Sequence, residues 1–567
     1  MDLVKKIIVS ILTIVGIALA GLIICAGVLV VFPNTKIFGV SYINTVNKNS
    51  EQIFVNEINT GSLKNDYTIE ILAGNYNVEL TESSSDTGID AYFISNVIGF
   101  TKELDSNKKA TLTYTYDEAN KKVTFTIAEP NGLFLKRDTV LKIAIPKKIL
   151  DKRVNIISTT NKGVTTFGTT DTPLTVNDVT VSCLSASGGV KLQNAVIKGD
   201  LNIKNILGRV EVVNDIKGTV TINSTVGTYT FGKINNLVVV ASEEGKTNNP
   251  AITLDECKNI DWKSESGSLN VKNYVLGDIN VITKNANFNI AKALVKTGVV
   301  SFEGDNSNVH IAQIGNFVED STSNYNSFNW KKGAIPSPVI TINSGSGNIS
   351  INRSFFDLAL SSTKGKIDVK NAMRIVDVET KSGSINIDFI DSDSYKADTE
   401  LDTFIKNNFV SYLDGEQTTT SGEETTTTYK NIESLKVNTV NGAVTINNIR
   451  NSIEVISESS PITLNYKAVR NVSTVKTSSK AVTIKAPIDD FKITTKMDKN
   501  SSAKLEVKFG KLILNAYSDD LVDSARMRKY NDDQFKCLDV KVNNASDSTA
   551  NIITVTNTTG KISITSY

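Results

Sequence analysis

From Gly199 onward one phrase recurs along the chain: glycine, any residue, an apolar residue, a polar one and a second apolar one. It reads Gly199-Asp-Leu-Asn-Ile203, Gly208-Arg-Val-Glu-Val212, Gly218-Thr-Val-Thr-Ile222, Gly267-Ser-Leu-Asn-Val271 and Gly277-Asp-Ile-Asn-Val281, and returns at Gly347, Gly365, Gly383, Gly442 and Gly560. Gly347, Gly365 and Gly383 are spaced by 18 residues, and Gly442, Ser460 and Lys480 by 18 and 20. Between them lies a second alternating run, as in Ile375-Val-Asp-Val378, Leu435-Lys-Val437 and Ile453-Glu-Val455. Alternation of Ile, Val and Leu with Thr, Ser, Asn, Asp and Lys predicts two strands per period, each with one buried and one solvated face. So short a ribbon cannot shelter its apolar side alone, and successive periods must stack. The pattern therefore predicts an all-β, elongated β-solenoid with about 18–20 residues per coil, following an N-terminal helix. About 20 coils at ~4.8 Å would give a rod roughly 95 Å long.

Asparagine adds a second cue, because it falls six residues after the repeat glycine at Asn205, Asn214, Asn273, Asn371 and Asn448. Gly and Asn tolerate left-handed backbone, which predicts corners there, and stacked corners would let Asn amides form ladders. Toward the N-terminus Ile69-Glu-Ile71 with Gly74-Asn-Tyr-Asn-Val78 still fits the phrase. Residues 111–116 and 123–127 read as a hairpin, and Leu141-Lys-Ile-Ala-Ile145-Pro146 as a strand ended by proline. The expected organisation is 1–33 as a stub and membrane anchor, 34–150 as a β-rich lead-in, and 151–567 as solenoid. The lead-in is either sandwich-like or a set of distorted first coils. Insertions near 319–338, with Trp330 and Pro336-Ser-Pro338, and near 391–430 break the period. In the second, Asp398 is a plausible cap for a short helix carrying Leu401, Phe404 and Ile405, and the Thr/Glu-rich 418–428 is expected to be mobile. Another helical piece is expected over 521–530. Insertions of this kind fall on solenoid loops, often on the functional side.

Residues 7–32 contain 26 consecutive positions without a charged side chain. As a helix they extend about 39 Å, enough to cross a hydrocarbon layer of roughly 30 Å. Lys5 and Lys6 precede the run and only Lys36 closely follows it, so the positive-inside bias puts the N-terminus in the cytoplasm and the bulk outside. Ala18-Leu19-Ala20 keeps a cleaved signal peptide as the competing reading, although the apolar run continues well beyond it. Gly16 with Ala20, and Gly21 with Cys25, are small-residue pairs that permit helices to approach. Cys25, Cys183, Cys257 and Cys537 are too sparse for a disulfide framework and read as free thiols, those outside the span buried in strands.

Composition then removes whole classes of function. With 61 Lys and Arg against 60 Asp and Glu the formal charge is +1, so no nucleic-acid partner is implied. Nine prolines in 567 residues argue for order over most of the chain. The single histidine, His310, excludes multi-histidine metal sites, and in Asn308-Val-His-Ile311 the alternation points it outward as a solvated strand residue. Asp391-Ser-Asp393 has only a fragment of a calcium loop, without its glycine or distal glutamate. Neither a phosphate-cradling Gly-rich loop nor a Cys-x-x-Cys pair occurs. No catalytic, cofactor-binding or metal-ligating residue is assigned, and no cofactor is expected.

Coils of the form apolar-x-apolar-x-Thr-x-Ser-Gly-x-Ile-x-Ile, as over 375–387, resemble the bacterial putative-adhesin β-solenoids, which are catalogued as a domain of unknown function. Leu141 to Pro146 leading to Asn155-Ile-Ile-Ser-Thr-Thr-Asn-Lys-Gly163 is similar to that family's passage into its first turns. The resemblance covers roughly 140–567 and implies the fold, with no catalytic motif to transfer. The expected function is a membrane-tethered structural, adhesive or interaction scaffold, not an enzyme. Its expected partners are the membrane through residues 7–32, a surface protein or glycan, and a second copy of itself. The alternative is a polysaccharide-binding or polysaccharide-degrading β-helix, which would need an exposed aromatic row or a carboxylate/lysine cleft.

Overall fold

The computed structural model describes residues 2–31 and, from 36 to 566, the strands and most of the turns between them. Outside the description lie chiefly 56–66, 100–109, 129–133, 184–188, 241–248, 316–339, 392–416, 429–434, 487–490, 519–538 and 542–550. The helices expected after Asp398 and over 521–530, Trp330 and Cys537 fall there. Strands account for 69% of the fold, a β-solenoid of about 11 turns of about 21 residues with one apolar N-terminal helix. The turn count is well below the 20 expected, because the insertions and several antiparallel strands take up chain without adding turns.

Two compact units divide the chain, 1–234 and 235–567. In the first, helix Asp2–Val31 contains an apolar stretch, Lys6–Cys25, long enough to cross a membrane, with its Ile, Leu and Val side chains exposed. The solenoid phrase begins at Tyr67–Gly74 and Asn77–Ser83, which pair in parallel with Arg153–Thr160 and Val164–Phe167. On their other side the same two strands pair in parallel with Lys122–Ala128 and Phe134–Pro146. The earliest turn in sequence thus lies between two later ones. Beyond it, Thr111–Asp117 closes one line of strands, and Ile89–Gly99 with Asn44–Val55 closes the other, all antiparallel. The hairpin at 111–128 and the strand ending at Pro146 are as the sequence predicted.

The second unit winds in two lines of parallel strands. One runs through Ile340–Asn343, Leu358–Ser362, Val376–Thr380, Leu435–Thr439 and Ile453–Ser457. The other runs through Ile349–Ile351, Ile367–Ala372, Ile385–Phe389, Val444–Ile449 and Ile462–Tyr466. Ile349, Ile367, Ile385, Val444 and Ile462 fall in one register column and are all buried. Each fully buried aliphatic side chain contributes roughly 1.5–3 kcal/mol relative to exposure, so the inner columns supply the main stabilising term. Trp262, Phe288 and Phe302 thicken this core, with edge-to-face ring centroids 5.4 and 5.3 Å apart. The Thr-rich segment expected to be mobile instead pairs as an antiparallel hairpin, Gln417–Ser421 with Glu424–Thr428, in keeping with the β preference of threonine.

Corners are built by residues that the repeat phrase only partly announces. Three residues before three of the repeat glycines stands a buried Ser or Thr whose hydroxyl accepts the glycine N–H: Ser362 from Gly365 (2.9 Å), Thr380 from Gly383 (3.0 Å) and Thr439 from Gly442 (3.3 Å). These hydroxyls stack in register, and Ser457 continues the column by accepting from Ser460 N. The glycines here are required for space. A Cβ on Gly365 would lie 1.7 Å from Gly347 O, and one on Gly383 1.9 Å from Gly365 O, so any side chain would force the turns apart. Left-handed backbone belongs instead to Asn371 (φ 50°) and Asn448 (φ 60°), which form corners as expected. Asn273 lies within the long strand Asn249–Val275 and forms none, while Asn205 and Asn214 are outside the description.

Gly365→Ala is expected to lower stability by about 2–3 kcal/mol and to speed amide exchange across Ile367–Ala372 before the rest of the unit. Urea unfolding followed by hydrogen exchange checks it, and unchanged protection of that strand would contradict the stacking argument.

Candidate functional site

Both insertions of the second unit leave from one corner. Residues 316–339 join Asn308–Ile314 to Ile340–Asn343, and 392–434 join Ile385–Phe389 to Leu435–Thr439, so each connects the second strand of one turn to the first strand of the next. Between them the same corner is made by short connections at 352–357 and 373–375. The connection at 352–357 is packed by Phe355 and Phe356, with Ser354 Oγ donating to Phe356 O (3.0 Å). Arg374 then clamps Asp357 through two hydrogen bonds, Nε to Oδ1 at 2.9 Å and Nη2 to Oδ2 at 3.4 Å.

At the root of the second insertion sits Arg450, only 1% exposed. Its Nη1 donates to Ile390 O (2.7 Å) and Asn448 O (3.3 Å), and its Nη2 lies 3.9 Å from Asp391 Oδ1. Lys467 Nζ donates to the same carboxylate. Two cations thus meet one partly buried carboxylate, an arrangement that fixes the chain where the insertion departs and leaves Asp391 unsuited to calcium. Asp393 lies outside the description. Among the described residues no three His, Cys, Asp or Glu side chains come together as a metal site.

The outward strand faces carry ladders. Asn289 Nδ2 donates to Asn270 Oδ1, and Asn308 Nδ2 to Asn287 Oδ1, both at 2.8 Å. Asn308 and Asn348 accept in turn from Asn348 N (2.9 Å) and Lys366 N (2.8 Å) one turn on. Asn386 donates to Asp368 at 2.9 Å, and Asn465, Asn447 and Asp388 form a further chain. Burial alone would raise the Asp368 carboxyl, but the hydrogen bonds from Asn386 and Lys366 outweigh it and hold the group below the usual carboxylate range. These ladders use strand positions. The corner residues Asn371 and Asn448 donate instead to the carbonyls of Asn352 (3.2 Å) and Phe389 (3.1 Å) on the preceding turn. His310 sits as expected, half-exposed between buried Val309 and Ile311, in register with Asn289 and Ser350.

Cys257 is a buried free thiol, again as expected, with Sγ donating to Asn259 O (2.9 Å). Desolvation dominates its titration and pushes it up to about 12 against the pull of neighbouring backbone hydrogen bonds. Cys25 is also free, on the apolar helix. The side chain of Cys183 is outside the description.

The profile of Toastrack DUF4097 matches residues 67–402, more than half of the chain. The chain belongs to this Toastrack family. Its match begins at the turn Tyr67–Gly74 and ends inside the second insertion. Solved structures similar to this Toastrack chain include a putative cell adhesion protein from Clostridium sporogenes, 10% identical, covering 46% of this chain and 100% of that one with a TM-score of 0.18. A putative adhesin from Bacteroides fragilis is 13% identical over 48% of this chain and 98% of its own, with a TM-score of 0.19. A putative lipid binding protein from Parabacteroides distasonis is 11% identical over 60% and 97%, with a TM-score of 0.18. No curated protein matches the chain.

Arg450→Ala is expected to cost about 2–4 kcal/mol, because it empties a buried site and removes the donor to the carbonyls of Ile390 and Asn448, while Lys467 still holds Asp391. Lys467→Ala, on the more exposed cation, should cost no more than about 1 kcal/mol. Denaturant midpoints of the two variants check the order, and equal losses would contradict it. Cys257 should resist iodoacetamide at pH 8 in the folded chain and react once unfolded, as read by peptide mass spectrometry; labelling of the native thiol would show that the strand opens readily.

Proposed function

We propose that the chain is a membrane-tethered, extracytoplasmic β-solenoid serving as a structural or adhesive scaffold, without catalysis. Residues 7–32 hold it in the membrane, with the N-terminus cytoplasmic and the bulk outside. The observation that carries this reading is how the outward side chains are used: among the described residues, Asn, Asp and Lys groups bond along the stack to the next turn. Such a surface is stiff and repetitive, which suits reach and display. The corner carrying both insertions is its irregular edge, and is the place where a surface protein or glycan would be met. The near-neutral charge of the chain gives nucleic acid no hold.

The polysaccharide-active alternative draws no support from the solenoid's aromatic residues. Trp262, Phe288, Phe302, Phe389 and Tyr466 are all buried. Among the residues whose exposure is described, Phe54 and Tyr92 are the exposed aromatics, and those two make no row along the stack.

Full-length chain in lipid nanodiscs, presented to a glycan array and to solubilised cell-surface proteins, is expected to capture a partner and leave every glycan chemically unchanged. Turnover of any captured glycan would overturn the scaffold reading.

A further inference from the structure

The chain runs out of order near residue 566. The turn made by Ser473–Thr477 and Val482–Ala486 is followed in sequence by Phe491–Met497 and Ser502–Glu506, yet these two turns do not pair with each other. Between them lie Asn551–Asn557 and Lys561–Ser566. Asn551–Asn557 pairs in parallel with Ser473–Thr477 on one side and Phe491–Met497 on the other. Lys561–Ser566 does the same with Val482–Ala486 and Ser502–Glu506. Past the displaced turn, Leu512–Ser518 adds to Phe491–Met497 in parallel, and Asp539–Lys541 ends that line antiparallel.

The inserted segment is a complete repeat unit. It places Val555, Ile562 and Ile564 in backbone register with Val475, Val482 and Ile484, which are buried. Every ladder bond it makes belongs to its own two strands and the two turns flanking the slot. None requires that the segment and the slot belong to the same chain, and only residues 542–550 join the segment to Asp539–Lys541, the last strand of the line beyond the slot.

We infer that this slot is a strand-exchange site, in which residues 551–566 of a second copy of the chain replace the resident segment and join two chains reciprocally. The exchanged dimer makes the same ladder bonds as the closed monomer, so the balance between them is set by chain concentration against the effective concentration of the linked segment, which for a short link is on the order of millimolar. Sparse chains therefore close on themselves, and densely clustered chains exchange. The inference goes beyond the scaffold reading and stands whether or not the chain captures a surface partner.

Thr474 and Thr554 are register partners across the slot, which gives a direct test. Full-length Thr474→Cys and Thr554→Cys variants, carrying different tags, are unfolded, mixed, refolded together in detergent and oxidised. A disulfide-linked species carrying both tags is expected, rising roughly tenfold between about 10 and 100 µM chain and absent when wild type replaces either variant. The double variant Thr474→Cys/Thr554→Cys should close within one chain at low concentration, confirming the register independently of exchange. A double variant that closes while the mixture gives no two-tag species at any concentration overturns the inference. So does a double variant that fails to close.

Discussion

An inward-facing isoleucine on a solenoid strand is dry only when a turn lies above it and another below. That requirement for close parallel stacking at one fixed spacing governs the remaining features of the molecule. The Gly347–Gly365–Gly383–Gly442 column exists because consecutive turns pass so near that each glycine faces the carbonyl of the one before, with no room for a Cβ. The buried Ser and Thr hydroxyls beside it answer the same constraint, since a corner sealed under another turn has no water to satisfy its N–H groups. Outside, the Asn and Asp ladders follow from the identical repeat, which brings like side chains into hydrogen-bonding distance again and again.

A stack also has ends, and an exposed terminal turn would offer both apolar surface and unpaired backbone. In the first unit the earliest turn, Tyr67–Gly74 with Asn77–Ser83, is covered on both sides, and antiparallel strands close what lies beyond it. In the second unit the last turn, Asn551–Asn557 with Lys561–Ser566, is likewise set one place inward. The same device thus occurs in each unit, and in both an antiparallel strand breaks the parallel ladder outside it. Antiparallel closure changes the pattern of bonding groups that the edge presents to another chain.

Much of this was legible from alternation alone. Ile349, Ile367 and Ile385 announce both the strand and its stacking partner, because a buried face of period two recurring every 18 residues admits few other packings. The corner asparagines were legible where they stand alone after a strand, at Asn371 and Asn448, and misleading at Asn273, where the neighbouring residues favour continuing the strand. The Ser/Thr three places before glycine had a signal, visible at Ser362, Thr380, Thr439 and Ser457 once the glycines are aligned. Thr380 stands in the Thr-x-Ser-Gly phrase of 375–387, but its role as an acceptor is masked in the sequence because hydroxyl residues also fill the outward positions. The ion pairing of Asp391 has no signal in the sequence, because its partners, Arg450 and Lys467, are distant along the chain and adjacent only after one turn settles on the next.

What the sequence determined by itself was the strand content, the direction in which each side chain faces and the need for stacking, all of which follow from local periodicity and the cost of leaving apolar surface wet. Only the tertiary structure decided the order of turns at each end, the shared corner of the two insertions and the cluster around Arg450. Those depend on which repeat lies against which. The repeats are nearly interchangeable in their local pattern, so neighbour choice rests on register, connection length and contacts between residues far apart in the chain, none of which alternation encodes.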